Sequence, residues 1–343
     1  MQIMRRKQGD EMSIGLIDVD SKIPNLALMK ISNYYKSLGE NVEFVKQGKT
    51  YDKIFASAIF TRSKDICLKL QEQYGDKIEI GGTGWDIHKV LADEIEYMKP
   101  DYNLYSAEEI ASRMRGIMTK QRKLEKAIEI VNAGMGFTSR GCVRECGFCF
   151  VPKKEGKFRD VAEIKDLIND KSNVLILHDN NLTADPYCID KLKEIKERKL
   201  IVDINQGMDV RLMTDEKAKA LSEVKHLRSL HYAWDLMAFE KPVMEGIKIL
   251  SKYIKPYRHM CFMLIGFNTT HEEDVYRFRK LTEIKIDPFV MVYNENEKGD
   301  LRNKHFARWV NSRIYKKCSF EEYEPWIKAK LNYLQCSLFE SAV

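Results

Sequence analysis

Three cysteines stand within eight residues of the stretch FTSRGCVRECGFCFVP: Cys142, Cys146 and Cys149, spaced C-x3-C-x2-C. Thiolates select soft metals, and short separations let one loop supply several ligands with little loss of chain entropy. A structural zinc site takes four ligands, normally as two paired knuckles. Only three cysteines are local here, and His178 would have to complete such a set. The alternative is a four-iron cubane, in which three cysteines hold three irons. The fourth iron is then open to a substrate or cofactor, as it is not in a fully ligated electron carrier. On that reading the missing ligand is the position of function. The other cysteines, Cys67, Cys188, Cys261, Cys318 and Cys336, are scattered and read as small buried hydrophobes.

The elements that must carry this loop follow from the pattern around it. The 343 residues, 44% hydrophobic with a formal charge of +6, are enough for two domains, or for one large barrel with an appendage, and for a proper core. That charge permits an anionic substrate without demanding nucleic acid. No run of about 18 apolar residues offers a membrane span. The N-terminal MQIMRRKQGDEMS lacks the apolar segment of a signal peptide, so a cytoplasmic protein is expected.

From SIGLIDVD to KIEIGG short apolar strands alternate with helical stretches, the pattern of right-handed βαβ units. Residues 1–100 therefore read as a Rossmann-like open parallel sheet, and 101–133 as a partly helical connector. From residue 134 the alternation resumes. Strands are expected at GMGFTS, NVLILHD, LIVDINQ, LRSLHYAWD, HMCFMLIGF and PFVMVYN. Helices are expected at VAEIKDLIND, PYCIDKLKEIKERK, TDEKAKALSEV, PVMEGIKILSKYI and THEEDVYRFRKLTEI. Six β/α repeats make residues 134–294 a partial (β/α)6 TIM-like barrel, and 295–343 a short helical C-terminal segment. The cysteine loop follows the first barrel strand, on the side where such barrels place their active sites.

In this context GCVRECGFCF resembles the radical SAM superfamily, and the wider GFTSRGCVRECGFCFVPKKEG is similar to members with an N-terminal cobalamin-binding-like domain and to methylthiotransferases. The resemblance implies a 4Fe-4S cluster on Cys142, Cys146 and Cys149. It implies that S-adenosylmethionine chelates the open iron and is cleaved by one electron, from a reductant such as flavodoxin or ferredoxin. The resulting 5′-deoxyadenosyl radical would serve methyl transfer or hydrogen abstraction at an unactivated carbon. Phe148 would lie against the adenine. The family's Gly-Gly-Glu-like segment is here HDNN, so Asp179 or Asn180 would meet the methionyl amino group. Asn181 or Thr183 would cap the following helix. At the end of the third strand stand Gln206, Asp209 and Arg211; Arg211 would pair with the cofactor carboxylate, or Asp209 and Arg211 form a surface pair. Trp234 and Asp235 would face the substrate, with a core Trp as the competing reading. Gly266 would permit close backbone approach beside the adenine.

Cobalamin domains of this type carry an Asp-x-His-x-x-Gly segment. The matching DVDSKI keeps Asp18 but has Asp20 in place of His and Ile23 in place of Gly; Ser57 and Gly81–Gly82 echo the later features. Cobalamin is therefore a candidate cofactor on a domain that also reads as vestigial. The methylthiotransferases' further cysteines are absent, since only Cys67 lies in that region. The basic and aromatic KGDLRNKHFARWVNSRIYKKC fits an RNA substrate, or a helix packed over the barrel. A non-catalytic iron–sulfur or zinc-binding sensor on the same fold is the reading from another class.

Overall fold

The computed structural model describes residues 11–293 and 301–328. Asn294 and Cys336, with the other residues of 1–10, 294–300 and 329–343, lie outside the described residues. The chain is a mixed α/β protein with parallel sheets. It divides into two compact units: Met1–Gly141, Phe150–His178 and Lys199–Ile201 in the first, Cys142–Cys149, Asp179–Arg198 and Val202–Val343 in the second. No helix of the described residues is long and apolar enough to cross a membrane.

In the first unit the expected alternation gives β1 (Ser13–Asp18), α1 (Leu26–Ser37), β2 (Asn41–Phe44), β3 (Lys53–Ser57), α2 (Lys64–Tyr74) and β4 (Ile78–Gly81). The strands lie in the order β2-β1-β3-β4, every neighbouring pair parallel. Ile14, Leu16 and Phe55 pack on Leu28 and Ile31 of α1, while Ala56 and Ile80 pack on Cys67 of α2. A parallel sheet covered on both faces needs apolar residues on both, which is why β3 reads as an unbroken apolar run. The connector is helical in α3 (Asp93–Glu96), α4 (Ala107–Arg113) and α5 (Lys120–Asn132), with Ser106 and Thr119 capping the last two.

Next come β5 (Gly134–Gly136), β6 (Ser139–Arg140), α6 (Val151–Lys154), β7 (Arg159–Asp160) and β8 (Val174–Leu177). β5 and β8 pair in parallel. β6 and β7 form a short antiparallel ladder that the pattern did not predict. At its end Gly141 has φ +79°, and a Cβ there would lie 2.2 Å from the Lys157 carbonyl oxygen, so only glycine lets the two backbones meet. The Arg140 guanidinium bridges Glu96 at 2.8 Å and Glu155 at 3.0 Å and covers the Phe137 ring. The stretch 161–170, expected as a helix, makes only the single 3-10 turn Ile164–Leu167. Its backbone is pressed against Gly134, where a Cβ would sit 2.3 Å from the Leu167 carbonyl oxygen, too close for a helix with its side chains.

The second unit holds α7 (Cys188–Glu197), the last three residues of β9 (Ile201–Ile204), α8 (Asp215–Ser222), β10 (Lys225–His226), β11 (Leu230–Ala233), α9 (Glu240–Ser251), β12 (His259–Ile265), α10 (His271–Glu283), β13 (Asp287–Val292) and α11 (Leu301–Asn311). β11, β12 and β13 form a parallel sheet in that order, and Met208 bridges in parallel to Tyr232.

Trp234 corrects an expectation. It follows Leu230 and Tyr232 at a spacing of two, and all three are buried on one face. Trp234 is fully buried, its ring lies against Tyr276 of α10, and its indole N–H donates to the Leu236 carbonyl at 3.1 Å. It is a core residue and does not face a cofactor. The aromatic C-terminal residues are core too. Phe306, Trp309 and Phe320 pack on one another and on Phe278 of α10 with centroids 5.1–6.0 Å apart. Rings consumed in this way offer no platform for stacking RNA bases.

Arg277 locks the helix-covered face. Fully buried, it donates to the Trp234 and Leu264 carbonyls at 2.5 and 2.8 Å and to the Asp274 carboxylate at 2.6 Å. Removing it strands a buried carboxylate. Arg277→Met is expected to lower stability in urea unfolding by about 3–5 kcal/mol, and the double variant Arg277→Met/Asp274→Leu by clearly less. Equal losses would contradict this assignment.

Candidate metal centre

The segment Cys142–Cys149 lies in the second unit, and its three thiols are half-buried and free of disulfides. The Cys149 N–H donates to the Cys146 carbonyl at 2.9 Å, a turn that fixes the C-x2-C half. The Cys142 sulfur accepts from the Arg144 backbone N–H at 3.4 Å and from the Asn181 amide at 3.6 Å. Two N–H donors on one sulfur restrain its position.

Asp209 anchors the loop. Its carboxylate takes the Arg211 fork at 2.6 and 2.9 Å and the Arg144 Nε at 2.9 Å. Burial alone would raise this carboxyl, but the Arg211 hydrogen bonds and charge, with Arg144 behind them, hold it below the usual range. The Asp209 N–H is shared between Thr183 Oγ1 at 2.9 Å and Asn181 Oδ1 at 3.2 Å. The Arg211 guanidinium also lies 4.4 Å over the Phe239 ring. Burial pushes the Cys146 thiol up, and the Arg211 charge pulls against it.

The other sequence candidates fall around these groups. Asp179 is fully buried and engaged within the protein. The Asn180 side-chain Nδ2 is buried with no hydrogen-bond partner among the described residues, a donor left for an acceptor. Gln206 is exposed. Phe148 packs edge-on against Phe267 at 5.5 Å, and Phe267 in turn against Tyr293 at 4.9 Å. Gly266 has φ +78°, the left-handed region that favours glycine. The Asp235 carboxyl is pushed up by burial and accepts the Leu264 N–H at 3.0 Å. Arg144 went unnoticed in the sequence, although a cation between two clustered cysteines is itself a signal. The contact of Asn181 with sulfur has no counterpart in its sequence pattern, which reads as a helix cap.

Among the described residues no three His, Cys, Asp or Glu side chains are grouped as a single metal ion needs. Thiolates on one zinc stand only about 3.8 Å apart, set by Zn–S bonds of about 2.3 Å in a tetrahedron. Thiolates on separate irons of a cubane stand farther apart. The donor set, three free thiols in one eight-residue segment with N–H donors on Cys142 and a guanidinium beside Cys146, suits a cubane held by three thiolates.

The first unit does not fit a corrinoid. In a sheet of order β2-β1-β3-β4 a ligand would sit beyond the carboxyl ends of β1 and β3. Asp18 there is buried and holds Tyr105 at 2.8 Å and Arg113 at 2.5 Å. Asp20, at the position of the cobalt histidine, accepts the Ile59 and Phe60 N–H groups at 2.7 and 2.9 Å. Ser57 accepts from Asn25 at 2.9 Å. Cβ atoms on Gly82 and Gly84 would meet the backbones of Ala58 and Phe60 at 2.2 and 2.5 Å. The chain's own groups fill this edge, so no chemistry is routed through cobalamin.

No family model and no curated protein matches the sequence. Among solved structures the chain is similar to Streptococcus suis SuiB, in a crystal structure bound to precursor peptide SuiA, with a TM-score of 0.38 and 16% identity. The match covers 62% of this chain and 55% of SuiB, little more than half of that protein, and a likeness this faint carries no argument.

Asp209 titrates below its ordinary value, so its stabilisation is complete above that value and is lost as pH falls through the lowered one. Asp209→Asn is expected to cost about 1–3 kcal/mol at pH 7. In urea unfolding from pH 7 to 3 the gap to wild type should hold down to about pH 4 and then close. A gap independent of pH would contradict the ion group.

Proposed function

We propose that the chain is a radical S-adenosylmethionine enzyme with a 4Fe-4S cluster on Cys142, Cys146 and Cys149. The observation that carries this reading is the anchored loop: three free thiols within eight residues, held from outside by Asp209 through Arg144, with Arg211 beside Cys146. When bound, the cluster and S-adenosylmethionine would supply reductive cleavage of a carbon–sulfur bond, the electron coming from a flavodoxin- or ferredoxin-type donor. The chain's residues do the rest. The three thiols hold iron and leave one iron open. Asn180 offers a buried donor suited to a carboxylate. Gly266 admits a flat group close to backbone, and Phe148 with Phe267 gives it an aromatic wall. Asp235 adds a buried carboxyl at the end of β11, pushed up by burial and bonded to the Leu264 N–H.

The same reading assigns residues 1–100 to a Rossmann-like domain, 101–133 to a connector, 134–294 to a partial (β/α)6 barrel and 295–343 to a helical extension. Parallel pairing of β5 with β8 and of β11 with β12 and β13 supports it. The reaction favoured is at an unactivated carbon; the C-terminal rings Phe306 and Trp309 pack in the core and lend no support to an RNA substrate. A second reading, a cluster-bearing sensor, is favoured by one observation: in the HDNN segment Asn181 is spent on Cys142 and Asp209, and Asp179 is engaged within the protein.

Anaerobic reconstitution should load about four irons per chain, and Cys146→Ala should hold less than half of that. On reduction with S-adenosylmethionine, wild type should release 5′-deoxyadenosine or S-adenosylhomocysteine. A fully loaded protein that makes neither would remove the enzyme reading.

A further inference from the structure

Asn181 is nearly buried and makes contacts that fix the orientation of its amide. Its Oδ1 faces the Asp209 N–H at 3.2 Å, and a backbone N–H can only donate, so this end of the amide must be the oxygen. The Thr183 hydroxyl lies 3.0 Å from the same oxygen. The Nδ2 is thereby turned to the Cys142 sulfur at 3.6 Å. One amide thus ties a cysteine sulfur to the residue that anchors the loop, in a place where water has little access.

The geometry points to Asn181 as a positioning residue for Cys142. Its N–H···S hydrogen bond restrains the sulfur and, with iron in place, raises the reduction potential of the cluster. The potential effect rests on the cluster reading above; the restraint does not. A donor to a cluster sulfur stabilises the more negative, reduced state, and removing it makes reduction harder. Asp209 donates its backbone N–H to the amide oxygen, while its carboxylate accepts from Arg144 and Arg211.

Two variants test this. Asn181→Leu removes the donor without adding charge, and Asn181→Asp removes it while keeping the oxygen for the Asp209 N–H. In the iron-loaded proteins the reduced-to-oxidised ratio at a fixed applied potential is expected to fall about tenfold in both, with iron content held. If Asn181→Leu fails to fold, Asn181→Ser, too short to reach the sulfur, takes its place. A fall in Asn181→Asp alone would report the added charge and overturn the proposal, as would unchanged ratios. In the iron-free proteins, which test the restraint whatever the metal, iodoacetamide should modify Cys142 several-fold faster in the variants and Cys149 at the wild-type rate. Equal rates at Cys142 would overturn the restraint, and lack of iron in wild type would instead count against the cluster.

Discussion

A loop that presents three thiols within eight residues has little apolar surface to bury beyond Phe148, which packs on Phe267. It must be held from outside, and here one carboxylate does so. Asp209 takes the guanidinium of Arg144 from within the cysteine segment and that of Arg211 from the turn after β9, while its backbone N–H holds Asn181. The ion group has a second consequence. It sets positive charge beside Cys146, where burial alone would keep the thiol protonated. Position and charge at the sulfurs therefore share one origin.

The surrounding elements make that anchor rigid. Thr183 fixes the Asp209 backbone from the segment after β8. Gly246 in α9 lets that helix approach the Val210 carbonyl, which a Cβ would meet at 1.9 Å, so the turn that carries Asp209 and Arg211 is backed by a helix. Arg277, bonded to two strand-end carbonyls and Asp274, ties α10 to the ends of β11 and β12, where Asp235 and Gly266 emerge. In the first unit the comparable strand ends are turned inward. Asp18, Asp20, Ser57 and the glycines after β4 spend their polar groups and close approaches on the chain itself. That edge stabilises its sheet and presents no pocket for a large ring.

Much of this was legible in the sequence, and the failures have physical causes. The cysteine spacing is a covalent fact and survives any folding. Strands rich in Val, Ile and Leu, flanked by capped helices, gave all ten principal strands away, though each is shorter in space than in pattern. Trp234 stood between a site and a core reading because a strand end suggests a site, and the period of two from Leu230 and Tyr232 puts it on the buried face. The stretch 161–170 has helical composition, but it lies on the backbone of Gly134, and tertiary crowding overrode propensity. Arg144 and Asn181 were missed because their roles depend on Asp209, more than 25 residues away, and long-range polar contacts leave no local periodicity.

The central claim is an iron left open for a sulfonium cofactor beside three anchored thiolates. Electron paramagnetic resonance of the reduced, iron-loaded protein tests it most directly. Addition of S-adenosylmethionine is predicted to change the g values of the cluster signal, because the cofactor would become a ligand of one iron. Spectra that coincide with and without the cofactor, on protein carrying its full iron, would contradict the claim.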